Sequence, residues 1–145
     1  MPTTLGRPYA LSWRGRPPHM LDPDIPVWWS WLDLYGYDAI NLFYDVQLGG
    51  PDYTPEQLKD PLTKMWYNNL AKRADALIET DDQVWIIEVT ADPGLRAIGQ
   101  LQTYRALWLR DPKIAKPETL ILVSHTIEPD LLDAATMYGL LCYIV

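Results

Sequence analysis

The apolar positions change period several times along the chain, and each change marks an element. Trp28, Trp31, Leu32 and Tyr35 recur at three- and four-residue spacing, which predicts a helix capped by Asp24, opened by Pro26 and stopped at Gly36. Residues 39 to 48 (AINLFYDVQL) read as a strand ended by Gly49, Gly50 and Pro51. Residues 51 to 63 contain Pro51, Pro55 and Pro61 and read as a loop with one helical turn at PEQLKD. KMWYNNLAK follows, with Met65, Trp66 and Leu70 expected to cover a sheet. Two strands then flank a polar turn at residues 79 to 83, the second a β-branched and aromatic run from Val84 to Val89. Asp92 as cap and Pro93 in the first turn start a helix from residue 94 to about 110, which Asp111 and Pro112 stop. Its Leu95, Ile98, Leu101, Trp108 and Leu109 occupy more than one face, so cover on two sides is expected. A buried strand at 118 to 124, an amphipathic helix at 128 to 138 ended by Gly139, and a strand at 140 to 145 complete the series.

The order is helix, strand, strand, strand, helix, strand, helix, strand. A meander followed by crossover units predicts an α/β fold, a three-layer sandwich with a central mixed β-sheet. Residues 1 to 24 stand apart from that domain of residues 25 to 145. Pro2, Pro8, Pro17, Pro18 and Pro23 prevent helix or central strand from propagating, and Tyr9, Trp13 and three arginines lie between them. This stretch reads as an extended arm whose aromatic residues dock on its own domain or on a neighbour.

Composition narrows the picture. With 48% hydrophobic residues, seven Trp and nine Tyr in 145 residues, the chain suits one domain with a substantial core. Cys142 is the lone cysteine, which excludes an internal disulfide and a cysteine-based zinc site and leaves a core thiol. The net charge is −7, and because residues 1 to 20 carry Arg7, Arg14 and Arg16 with no acid, the remainder carries −10. Such an acidic body repels a phosphate backbone at long range and disfavours DNA as a partner unless metal ions or the basic arm reverse the field locally. No apolar stretch approaches the ~20 residues of a membrane span, and the N-terminus shows nothing like a signal peptide. The expected location is the cytoplasm, or a virion for a phage-encoded chain, with protein partners met through the arm in an oligomer or multi-subunit assembly.

One constellation carries chemistry. Glu88 and Thr90, two positions apart, share a face of the apolar strand, and an ionised carboxylate there needs a partner. Asp75 lies thirteen residues earlier, where antiparallel pairing across the 79-to-83 turn brings it near Glu88. Gln100 and Tyr104 share a helix face, either directed at that site or buttressing helix against sheet. Asp45 reads as a solvent-facing or edge position, with metal binding as a minor alternative. His19 and His125 have no nucleophile at a recognisable spacing.

These residues and the order of elements resemble the PD-(D/E)XK nuclease superfamily, whose restriction-endonuclease-like core is helix, three strands, helix, strand. The likeness spans residues 25 to 145. Asp75 and Glu88 match the family's metal-binding acids, and Thr90 stands where the family carries a lysine that orients or activates the attacking water. Gln100 and Tyr104 are similar to the Gln-x-x-x-Tyr signature of the RecB-type branch. The resemblance implies Mg²⁺ or Mn²⁺ held by Asp75, Glu88 and a backbone carbonyl such as that of Val89, with a phosphodiester substrate. A threonine hydroxyl supplies no positive charge, so weak or lost nuclease activity is implied unless Lys64 or Lys72 reaches in. The alternative is a non-catalytic structural or adaptor subunit of a larger assembly, such as a head-tail or tail component of a bacteriophage virion.

Overall fold

A computed structural model describes residues 2–50 and 52–145. Pro51, expected to help end the first strand, lies outside the described residues, as does Met1 at the head of the arm. The elements are α1 (Ile25–Tyr35), β1 (Asn41–Leu48), α2 (Pro61–Leu70), β2 (Lys72–Glu79), β3 (Val84–Val89), α3 (Arg96–Arg110), β4 (Glu118–Ser124), α4 (Pro129–Met137) and β5 (Leu141–Ile144), with short 3₁₀ turns at Gly36–Asp38 and Gln57–Lys59. The five strands lie in the order β1-β2-β3-β4-β5, antiparallel from β1 to β3 and parallel from β3 to β5. The expected mixed α/β architecture is therefore present.

Two apolar clusters make the layers. On one face of the sheet, Ala97, Ile98, Leu101, Tyr104 and Trp108 of α3 and Leu131 and Ala135 of α4 meet Phe43, Leu77, Ile86 and Leu122. On the other, Val27, Trp28, Trp31 and Leu32 of α1 meet Tyr44, Ile78, Ile87 and Val123. Trp28 and Trp31 stack with ring centroids 5.3 Å apart, and the Trp28 indole N–H donates to the Tyr44 hydroxyl at 2.8 Å. Both rings are fully buried, each removing of order 200 Å² of largely apolar surface from water.

The arm belongs to this body. Thr4 exchanges both backbone hydrogen bonds with Gln47, and the Tyr9 N–H donates to Leu42, so the arm runs antiparallel along β1 and covers that sheet edge. Tyr9 and Trp13 pack edge-on or tilted against Tyr44 and Trp29, and Met20 is buried beneath them.

Several local expectations are corrected. The Asp24 side chain does not cap α1: its Oδ1 accepts the Ala91 N–H at 2.8 Å, tying the start of α1 to the loop after β3. The chain continues past Gly36 into a 3₁₀ turn instead of stopping there. Residues 61 to 70 form a helix, capped where Asp60 accepts the Thr63 N–H, and its Met65, Trp66 and Leu70 are exposed instead of covering the sheet. Helix α3 begins at Arg96, and Leu95 and Leu109 are exposed, so it is covered on one side. Among the described residues, no helix is long and apolar enough to cross a membrane.

Candidate functional site

The site begins with a fault in the sheet. The β1–β2 register pairs Tyr44 with Ala76 and Val46 with Ala74, which sets Asp45 opposite Asp75 between them. Asp45 has φ of 52°, a left-handed backbone rarely adopted by a residue within a strand. Its consequence is visible in the packing. Phe43 faces α3, yet beyond Asp45 it is Val46 and Leu48 that do so. β2 reverses at the same step, with Leu77 and Ala74 on the α3 side and Ala76 and Ile78 on the α1 side. Both strands change face together, so their register survives while the sheet opens locally.

β3 supplies the second half. Its pairing with β2 ends at Ala76 and Ile87, and the next step of the register sets Asp75 opposite Glu88. The strands part there: the Val89 N–H, which points toward β2, donates to Asp75 Oδ2 at 2.8 Å in place of a backbone carbonyl. The Thr90 N–H points the other way, to Val123 of β4. The Val89 carbonyl lies on the same side as its N–H, toward Asp75.

The gap opens into a cleft of about 400 Å³ under the first half of α3. Asp75, Glu88, Thr90, Gln100 and Tyr104 all line it, so the five residues singled out from sequence come together. Asp24, Asp45, Arg73, Arg96 and His19 line it as well. Asp45 is on an edge strand but not solvent-facing: its Oδ2 accepts from Arg73 Nη1 at 2.7 Å and meets His19 Nδ1 at 2.9 Å. Lys64 and Lys72 do not enter the cleft; Lys72 Nζ lies 3.4 Å from the Leu70 carbonyl. The cations that do enter are arginines. Arg96, Gln100 and Tyr104 are spaced four apart on one face of α3, a signal present in the sequence once that face is known. Asp24 had no such signal, since its partner Ala91 is remote along the chain.

Glu88 is 8% exposed, and its Oε2 has no hydrogen-bond partner. Burial, and secondly the neighbouring Asp75 charge, push its carboxyl from 4.5 up to about 9. Burial also raises Asp75, from 3.8 to about 6, against the Val89 N–H that favours its ionised form. The two titrate as a pair, and at neutral pH they hold one proton between them. Burial and these two acids raise the Tyr104 phenol well above its ordinary range, so it remains a hydrogen-bond donor beside Glu88.

A divalent cation suits this donor set in one respect: a buried carboxylate oxygen without a partner, beside a second carboxylate, is an incomplete arrangement that a cation would complete. Among the described residues, no group of three or more His, Cys, Asp or Glu stands close enough to hold a metal. The fit therefore rests on two carboxylates and a backbone carbonyl. No protein-family model, curated protein or solved structure matches the chain.

Proposed function

We propose that the cleft is a phosphodiester-hydrolysing site of the nuclease type, with activity weakened at Thr90. The supporting observation is the convergence of Asp75, Glu88, Thr90, Gln100 and Tyr104, from two strands and a helix, on one cleft. Asp75, Glu88 and the Val89 carbonyl would hold Mg²⁺ or Mn²⁺, which when bound polarises a phosphate and acidifies a coordinated water. The chain's own groups do the rest. Tyr104, protonated at all ordinary pH, donates to a phosphate oxygen, and the Gln100 amide orients the same group from one turn away. Thr90 positions a water through its hydroxyl. It brings no charge to the transition state, a deficit worth about a hundredfold in rate or more.

The experiment is a cleavage assay on single- and double-stranded DNA with Mg²⁺ or Mn²⁺, using the wild type, Thr90→Lys, Asp75→Ala and Glu88→Ala. Slow cleavage by the wild type, a gain of about tenfold or more in Thr90→Lys, and loss in both alanine variants are expected. Equal cleavage by the alanine variants, or none by wild type and Thr90→Lys alike, would sink the reading.

A second reading, a structural or adaptor subunit of an assembly such as a virion, is favoured by a different surface. Leu62, Met65, Trp66 and Leu70 are all exposed along α2, whereas Tyr9 and Trp13 of the arm pack on the protein's own sheet. In that case alanine at Asp75 leaves assembly intact, and aspartate at Trp66 abolishes it.

A further inference from the structure

A second groove of about 390 Å³ lies on the far side of the ridge formed by Arg96, Gln100 and Tyr104, and those three residues wall both it and the carboxylate cleft. Its remaining lining is Lys72, Gly99 and Thr103. Two of these features are not fixed by a contact within the protein. Arg96 makes no hydrogen bond or ion pair among the described residues, whereas Arg73, the other arginine of the cleft, is committed to Asp45. Gly99 sits inside α3, where glycine is the least favourable residue after proline, yet a Cβ built there meets nothing within 4 Å. Crowding within the protein does not require it.

Both features are explained by an occupant. The bare backbone at Gly99 leaves a shallow floor that a flat or compact group can approach closely, and Thr103 one turn along offers a hydroxyl beside it. Lys72 and Arg96 set two cations around that floor in a protein of net charge −7. A cation pair flanking a small, mostly apolar depression suits an anionic ligand with an uncharged ring: a nucleotide.

We propose that this groove seats the nucleotide unit adjoining the scissile phosphate, with Arg96 gripping the phosphate at the ridge and Gly99 clearing the floor for sugar or base. The proposal rests on the phosphodiesterase reading for its choice of occupant. It also accounts for nucleic-acid binding by an acidic chain: the contact is confined to one strand crossing a single cationic ridge, and a guanidinium at Arg96 meets the substrate where Thr90 provides no charge.

The test is binding of a short fluorescein-labelled oligodeoxythymidylate, followed by anisotropy in Ca²⁺, with thermal melting of each variant alongside. Arg96→Gln and Gly99→Leu should each weaken binding about tenfold, Arg96→Lys should recover part of the loss, and Lys113→Gln, past the C-terminal end of α3 and lining neither groove nor cleft, should bind as wild type does. Gly99→Ala should melt higher than wild type, as an exposed helix position predicts, while binding more weakly. That opposition is not what a purely structural glycine would show. Wild-type affinity in Gly99→Leu, wild-type affinity in Arg96→Gln, or no binding by the wild type overturns the proposal. Weakened binding in both variants, where neither the wild type nor Thr90→Lys cleaves with Mn²⁺, upholds the groove and ends the hydrolytic reading instead.

Discussion

Replacing Glu88 by glutamine removes the buried titratable carboxyl while preserving the shape of the side chain. In the unfolded chain Glu88 ionises near 4.5; in the folded protein it does so near about 9, because burial and Asp75 both oppose its charge. A carboxyl whose folded pKa is raised contributes stability that is fully present below its unfolded value and is lost as pH rises toward the folded one. Asp75, raised from 3.8 to about 6, acts in the same direction over a lower window. Wild-type stability should therefore fall from about pH 4 to about pH 9, with Asp75 contributing only up to about pH 6. At about pH 8, retaining the proton on Glu88 costs at most about 5 kcal/mol relative to the unfolded chain. The Glu88→Gln variant escapes that cost. Allowing about 2 kcal/mol for an imperfectly satisfied amide leaves a gain of about 3 kcal/mol, or roughly 10 °C in melting temperature for a domain of this size. The gain should disappear near about pH 6 and reverse to a loss of about 1 kcal/mol near about pH 5, where little of the cost has accrued and the amide penalty remains. The assay is thermal melting followed by circular dichroism in chelator-treated buffer across this range, then again with Mn²⁺. The ion should raise the wild-type melting point at high pH by mass action and leave Glu88→Gln nearly unmoved. A flat wild-type profile, or a variant that melts below wild type at about pH 8, would refute the reasoning.

Two further predictions concern the frame around the site. At Asp45, whose φ of 52° favours glycine, Asp45→Gly should be more stable than Asp45→Ala by about 1 kcal/mol, the reverse of the order at an ordinary strand position; denaturant titration of both measures it. Deleting residues 2 to 22 should uncover the β1 edge and the Tyr44–Trp28 cluster, lowering the melting temperature by about 10 °C or more and promoting self-association visible by size-exclusion chromatography; an unchanged melt would show that the arm contributes nothing to the core.

Particular residues show how far the chain can be read in advance. Residues 118 to 124 are legible as a strand because ETLILVS holds the uninterrupted apolar run LILV, and β4 is buried on both faces. α2 is not, because its apolar residues face solvent, so no core-facing stripe distinguishes it from a loop, although Asp60 followed by Pro61 is a start signal. For the site, Asp75 and Glu88 follow from hairpin register, which is local. Arg96 does not, because a basic residue at a helix start reads as solvated until the neighbouring cleft is seen.

The order of side chains was enough to set the alternation of strands and helices, the meander followed by crossovers, and the pairing of two acids across one turn. Those features depend on hydrophobic period and on contacts within about twenty residues, so they are written directly along the chain. The closed domain was needed for the rest: β1 and β2 change face together at Asp45 and Asp75, Asp24 ties α1 to Ala91, and the arm covers β1. Each joins segments whose meeting depends on the shape of the whole. The burial that raises Glu88 is likewise a property of the packed layers and not of the residues beside it in the chain.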